Sequence, residues 1–94
     1  MALTQGSVQE YDFNRMVVLF TMKNDQANVP CAISTDAMDQ LEGSSRTPPA
    51  QREQQFLRLR DRIEERAARK FNDVELEGNP PGVILRAIDF RAPR

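Results

Sequence analysis

The chain of 94 residues has no histidine, no tryptophan, one cysteine and one tyrosine. Each shortage removes a kind of chemistry. Without histidine the side chain best suited to proton transfer near neutral pH is missing. A lone thiol, Cys31, with no imidazole cannot build a zinc site, and it cannot close a disulfide within the chain. One unpaired cysteine suits a reducing compartment. With no tryptophan and only Tyr11, there is little on which nucleic-acid bases could stack. The longest uninterrupted apolar run, Met16 to Phe20, is far shorter than the roughly 20 residues of a membrane span. The N-terminal residues have neither a basic start nor an apolar stretch, so no signal peptide is read there. A net charge of −1 gives no global field to draw the chain onto DNA or an anionic membrane. The expectation is a cytoplasmic protein that makes no membrane contact.

What is present fits one small domain. Apolar residues make up 39% and charged residues 29%, enough to build a core and keep it in solution. Residues 1–7 are small and polar and are expected to be a disordered N-terminus. A single domain is expected over 8–91, with a C-terminal tail at 92–94. "VQEYDF", from Val8, predicts a short edge strand. "RMVVLFTM", Arg15 to Met22, predicts a second, with Met16, Val18, Phe20 and Met22 on one face. Val17 and Leu19 share the other face, so both faces want cover. "KNDQAN" is a turn, and "VPCAI" a strand with Val29, Cys31 and Ile33 inward. Pro30 cannot donate to a ladder and is expected at an edge or bulge.

Ser34 is placed to cap a short helix, "TDAMDQLE", which Gly43 ends. "GSSRTPP" reads as a linker, with Thr47 as the next cap and Pro48 as the first helical residue. The main helix is then predicted over 48–71. Phe56, Leu59, Ile63, Ala67 and Phe71 form its apolar stripe, and Asn72 and Asp73 close it. "VELE" alternates, with Val74 and Leu76 inward, "GNPPG" is a turn, and "VILRAIDF" is a last strand with a bulge near Arg86 or Ala87. The fold class read from this order is α+β. It is a small, mostly antiparallel sheet of an N-terminal and a C-terminal hairpin, with one short and one long helix packed on one face.

Three stretches, "VPCAISTDAMDQL", "FLRLRDRIEERA" and "GVILRAIDF", taken in this order, resemble a bacterial family of short proteins known as domain of unknown function 1488. The matching positions are Val18 and Phe20, Cys31 to Ser34, Ala37 to Leu41, Arg60 to Glu64, and Val83 to Phe90. The resemblance implies the α+β fold and brings no activity, cofactor or catalytic residue with it.

The one concentrated signal is basic. Arg58, Arg62, Arg66 and Arg69 fall on one stripe of the long helix, opposite Phe56 and Ile63. Such a stripe could follow phosphates or meet an acidic protein surface. It could equally be the solvated back of a helix whose other face is apolar. Asp61 is spaced to pair with Arg58, and Glu65 with Arg62 and Arg69, which favours the solvated reading. Arg60 lies nearer the core stripe and is expected to lay its stem along the sheet. Cys31 reads as core packing, and Asp36 and Asp39 as helix-start and surface residues rather than cation ligands. Glu64 and Glu65 point about 100° apart and cannot converge on one substrate. No phosphate-cradling glycine loop is present. No catalytic, cofactor or metal site is therefore expected. The expected role is a non-enzymatic accessory or regulatory protein, with another protein or a homodimer as partner. A weak nucleic-acid-binding regulator using the arginine stripe is the alternative.

Overall fold

The computed structural model describes residues 3–43, 47–78 and 81–90. Three antiparallel strands open the chain: β1 (Thr4–Asp12), β2 (Val17–Asn24) and β3 (Ala27–Ser34). Thr4 to Ser7, expected to be disordered, are the first residues of β1 and pair with β2 as far as Thr4 with Lys23. The β2–β3 turn is tighter than expected. Only Asp25 and Gln26 lie outside the ladder, and Asp25 takes a positive φ of 58°, as short hairpin loops require.

Helix α1 (Thr35–Glu42) follows β3 directly. Ser34 Oγ accepts the Ala37 N–H at 3.0 Å, and Gly43 closes the helix at φ 75°, a conformation in which a β-carbon would be strained. A 3-10 turn at Pro49–Gln51 then leads into α2 (Arg52–Asn72). The long helix therefore starts later than expected. Thr47 does not cap it, and instead its side chain hydrogen-bonds Asp39.

Among the described residues, the C-terminal hairpin is reduced to a single bridge. Val74 has φ 58° and is three-quarters exposed, so "VELE" does not run as a strand with Val74 inward. Only an isolated antiparallel bridge joins Glu77 to Gly82. Strand β4 (Val83–Leu85) pairs in parallel with Cys31–Ile33 of β3. The chain crosses from β3 through both helices before it returns, and that connection places β4 in the same direction as β3. The sheet is thus mixed, in the order β1-β2-β3-β4. Pro30 lies in an inner strand rather than at the edge expected for it, but the β4 ladder begins one residue after it. A β-carbon on Gly82 would collide with the Pro30 carbonyl.

The expected bulge near Arg86 is a departure from the sheet. Residues Ala87–Phe90 form a 3-10 helix. Asp89 draws the chain into it by accepting the Arg86 N–H at 2.8 Å. The expected linker at 44–46, the middle of "GNPPG" and the expected tail at 92–94 lie outside the described residues.

The core lies on one face of the sheet. Val18, Phe20, Met22, Val29, Cys31, Ile33, Val83 and Leu85 meet Ala37 and Met38 of α1 and Phe56, Leu59, Ile63 and Ala67 of α2. The Phe20 and Phe56 rings sit 4.9 Å apart, centroid to centroid.

Candidate functional site

The arginine stripe is largely engaged within the molecule. Arg58 pairs with Glu42 of α1, Nε to Oε2 at 3.1 Å, and not with Asp61. Arg66 gives Nε to the Asp89 carbonyl at 2.9 Å and Nη2 to its carboxylate at 3.4 Å. Its Nη1 is buried with no acceptor, so this side chain is held in place and not extended into solvent. Arg69 reaches the expected Glu65 loosely, at 3.9 Å, with both side chains well exposed. Arg62 donates to the Leu41 carbonyl at 3.5 Å and makes no ion pair among the described residues. Of the four, Arg62 and Arg69 remain available, and Glu65 stands beside them. Arg60, as expected, leans to the sheet, donating to the Gly6 carbonyl and to Glu64 at 3.0 Å each.

Three polar residues of α2 that sequence reasoning did not single out are buried: Arg52, Gln55 and Lys70. Arg52 meets Asp39 at 2.8 Å and Gln55 at 2.7 Å, and Gln55 donates to Asp39 and to Glu42. Burial works against the Asp39 charge, but the Arg52 and Gln55 hydrogen bonds outweigh it and hold the carboxyl below its ordinary pKa. Asp39 is thereby a structural tie between α1 and α2. Lys70 binds the Ile84 carbonyl at 2.9 Å and Asp89 at 3.2 Å. These networks tie α1 to α2, and α2 to β4 and the final 3-10 helix.

Cys31 is 5% exposed, and burial pushes its thiol up to about 12. It is the packed cysteine that its place between Val29 and Ile33 suggests, since a thiol held protonated is a poor nucleophile.

Among the described residues, the feature left without a partner is the second face of the sheet. Strand registers place its residues in rows. Glu10, Leu19, Ala32 and Ile84 stand side by side across β1 to β4. The next row is Asp12, Val17 and Ser34. Neither α-helix covers this face, because both bury their apolar residues against the other one. Val17, Leu19 and Ile84 are half-buried, and Ile88 at the rim is 67% exposed. Two adjoining clefts, of about 590 and 230 Å³, run over this floor, and Arg15, Ala32 and Ile84 line both. Arg15 is tied to Asp12 at 2.8 Å, and its guanidinium holds that carboxyl below its ordinary pKa. Arg86, at the β4 side, is paired with Glu77. Asp36, in the first turn of α1, lines the larger cleft and makes no ion pair among the described residues.

The family model described as "Protein of unknown function (DUF1488)" matches residues 5–81. The chain belongs to this family. The match covers β1 through α2 and stops just short of β4. A crystal structure of a DUF1488 protein of unknown function from Shewanella loihica PV-4 is similar in fold, with a TM-score of 0.77 over 90% of this chain and 93% of that one. At 16% identity the likeness concerns the fold alone. No curated protein matches the chain. Membership of the family thus accounts for the architecture and assigns no residue a role.

Proposed function

We propose that this domain is a non-enzymatic accessory or regulatory protein of the bacterial cytoplasm that binds another protein on the open face of its sheet. The observation that carries the reading is the apolar row Leu19, Ala32 and Ile84, extended by Val17 and Ile88, on a face that neither helix covers. Sheet faces of this composition are normally packed against something, and contiguous apolar surface with a charged rim marks interaction sites. The rim is supplied by Asp12, Arg15, Asp36 and Arg86.

The arginine stripe supports this role less well. Arg58 and Arg66 would have to leave Glu42 and Asp89 before they could meet a partner or a phosphate. The reading is tested by affinity capture from the native cell with three baits. These are the wild type, the face variant Leu19→Asp and the helix variant Arg62→Glu/Arg69→Glu. A protein retained by the wild type and the helix variant, but lost on the face variant, is the expected result. Loss on the helix variant alone would move the interaction surface to α2.

A further inference from the structure

We propose that Met16 is an oxidation site built into the β1–β2 turn, where a hydroperoxide converts the thioether to the sulfoxide with help from the Tyr11 hydroxyl. The inference does not depend on the open face of the sheet. Met16 ends the turn and is 47% exposed, whereas Met22 and Met38 lie in the core at 2% and 0%. An oxidant in solution therefore reaches the Met16 sulfur first, and the two core thioethers only when the packing opens.

Exposure alone would make Met16 an accident of the surface, but the turn adds a proton donor. The Tyr11 hydroxyl donates to Met16 Sδ at 3.4 Å. Phe13 braces the Tyr11 ring edge to face, with centroids 6.1 Å apart. Asp12 Oδ1 accepts the Asn14 and Arg15 N–H groups at 3.1 and 3.2 Å, which fixes the turn between these side chains. Met16 takes φ 57°, uncommon for a residue with a side chain, and its carbonyl accepts the Thr35 N–H at 2.9 Å. The backbone thus holds sulfur and hydroxyl together. A thioether is a weak acceptor, so the hydroxyl is better matched to the oxygen that oxidation adds.

In the reaction the sulfur lone pair attacks the distal oxygen of the hydroperoxide. The S–O bond forms as the O–O bond breaks; sulfur is oxidised, and the peroxide is reduced to an alcohol or water. The proton of the transferred oxygen ends on the leaving oxygen. Tyr11 donates to the leaving oxygen as its charge grows, and afterwards to the sulfoxide oxygen. The tie to Thr35 is made by backbone atoms, so the fold survives the change. A sulfoxide at Met22 or Met38 would instead put a polar group in the core.

The test treats the full chain with limiting hydrogen peroxide, native and in urea, and follows each thioether by fragment mass spectrometry, which separates Met16 from Met22. In the native chain Met16 should be oxidised about tenfold faster than Met22 and Met38 or more, and in urea all three alike. Native Met16 should also match or exceed its own rate in urea, although it is only half exposed. Tyr11→Phe should slow native Met16 about threefold or more, the size of one neutral hydrogen bond. Met22 and Met38 should stay slow in that variant and so report that its fold is kept. If they do not, the native-to-urea ratio of the wild type decides. Circular dichroism of the Met16 sulfoxide should match that of the untreated chain. Comparable native rates at the three methionines overturn the proposal. So does a native Met16 rate below that in urea, a rate that Tyr11→Phe leaves unchanged, or loss of the fold on oxidation.

Discussion

Ile63 is fully buried while its neighbour Arg62 is exposed, a difference set by about 100° of helix rotation. Ile63→Ala should cost about 2–5 kcal/mol, because the cavity it leaves adds to the lost transfer energy. Arg62→Ala should cost under about 0.5 kcal/mol. Denaturant melts of the two variants check the contrast, and equal stability would mean that the helix is rotated from the observed phase. Cys31, with its thiol raised to about 12, should react slowly with a thiol reagent in the native protein and fast after unfolding. Asp39 gives a pH signature. Its native pKa lies below the ordinary value, so the carboxylate form is the one that folding favours. The stability it contributes is full above an unfolded value of about 3.9 and is lost as pH falls through the lower native value. Asp39→Asn should therefore remove part of the acid-side slope in a melt series and leave the neutral plateau lower. An unchanged slope would show that Asp39 carries no linkage.

The last strand and the 3-10 helix after it hang on Asp89. Its carboxylate meets Lys70 and Arg66 of α2 and the Arg86 backbone, with the Lys70 and Asp89 side chains each 9% exposed. Asp89→Ala should cost about 3–5 kcal/mol, since it strands a buried lysine. Hydrogen exchange should show the Val83–Leu85 amides opening first. If β1 and β2 lost protection equally, Ala87–Phe90 would not be a separate clasp. The same residue explains what the sequence could and could not tell. The N-terminal hairpin, the Ser34 and Gly43 caps and the Phe56/Ile63 stripe were legible, because each is written in local spacing and turn chemistry. The parallel β4 and the final helical turn were not. They depend on Asp89 finding Lys70 and Arg66, 19 and 23 positions away. By periodicity Arg52 and Lys70 fall on the Ile63 side of α2, but their charge argues against burial until their partners are known. Tertiary partners bury them.

At the scale of the molecule, two surfaces compete for a role. Helix α2 carries seven basic and four acidic residues, a local charge of +3, and the net charge of −1 leaves the rest of the chain at −4. Two of the four stripe arginines are held by Glu42 and Asp89. Labelled DNA or RNA should therefore show no submicromolar binding at roughly 200 mM salt, and whatever is seen at roughly 50 mM should fade as counter-ions compete. Tight binding that survives salt and is lost in Arg62→Glu/Arg66→Glu would restore the nucleic-acid alternative. The open sheet face was half legible. Alternation of Val17 and Leu19 against Val18 and Phe20 announced a second apolar face. Which face the helices would cover was settled only by the crossover from β3 to β4.

The most direct measurement compares thiol labelling of two introduced cysteines, Leu19→Cys and Arg62→Cys, each in a Cys31→Ala background, in intact cells and in dilute purified protein. If the open sheet face is the binding surface, the cysteine at position 19 labels more slowly in cells than in dilute solution, while the one at position 62 labels alike in both. Protection at position 62 with free labelling at position 19 would contradict the account and assign the interaction to the helix.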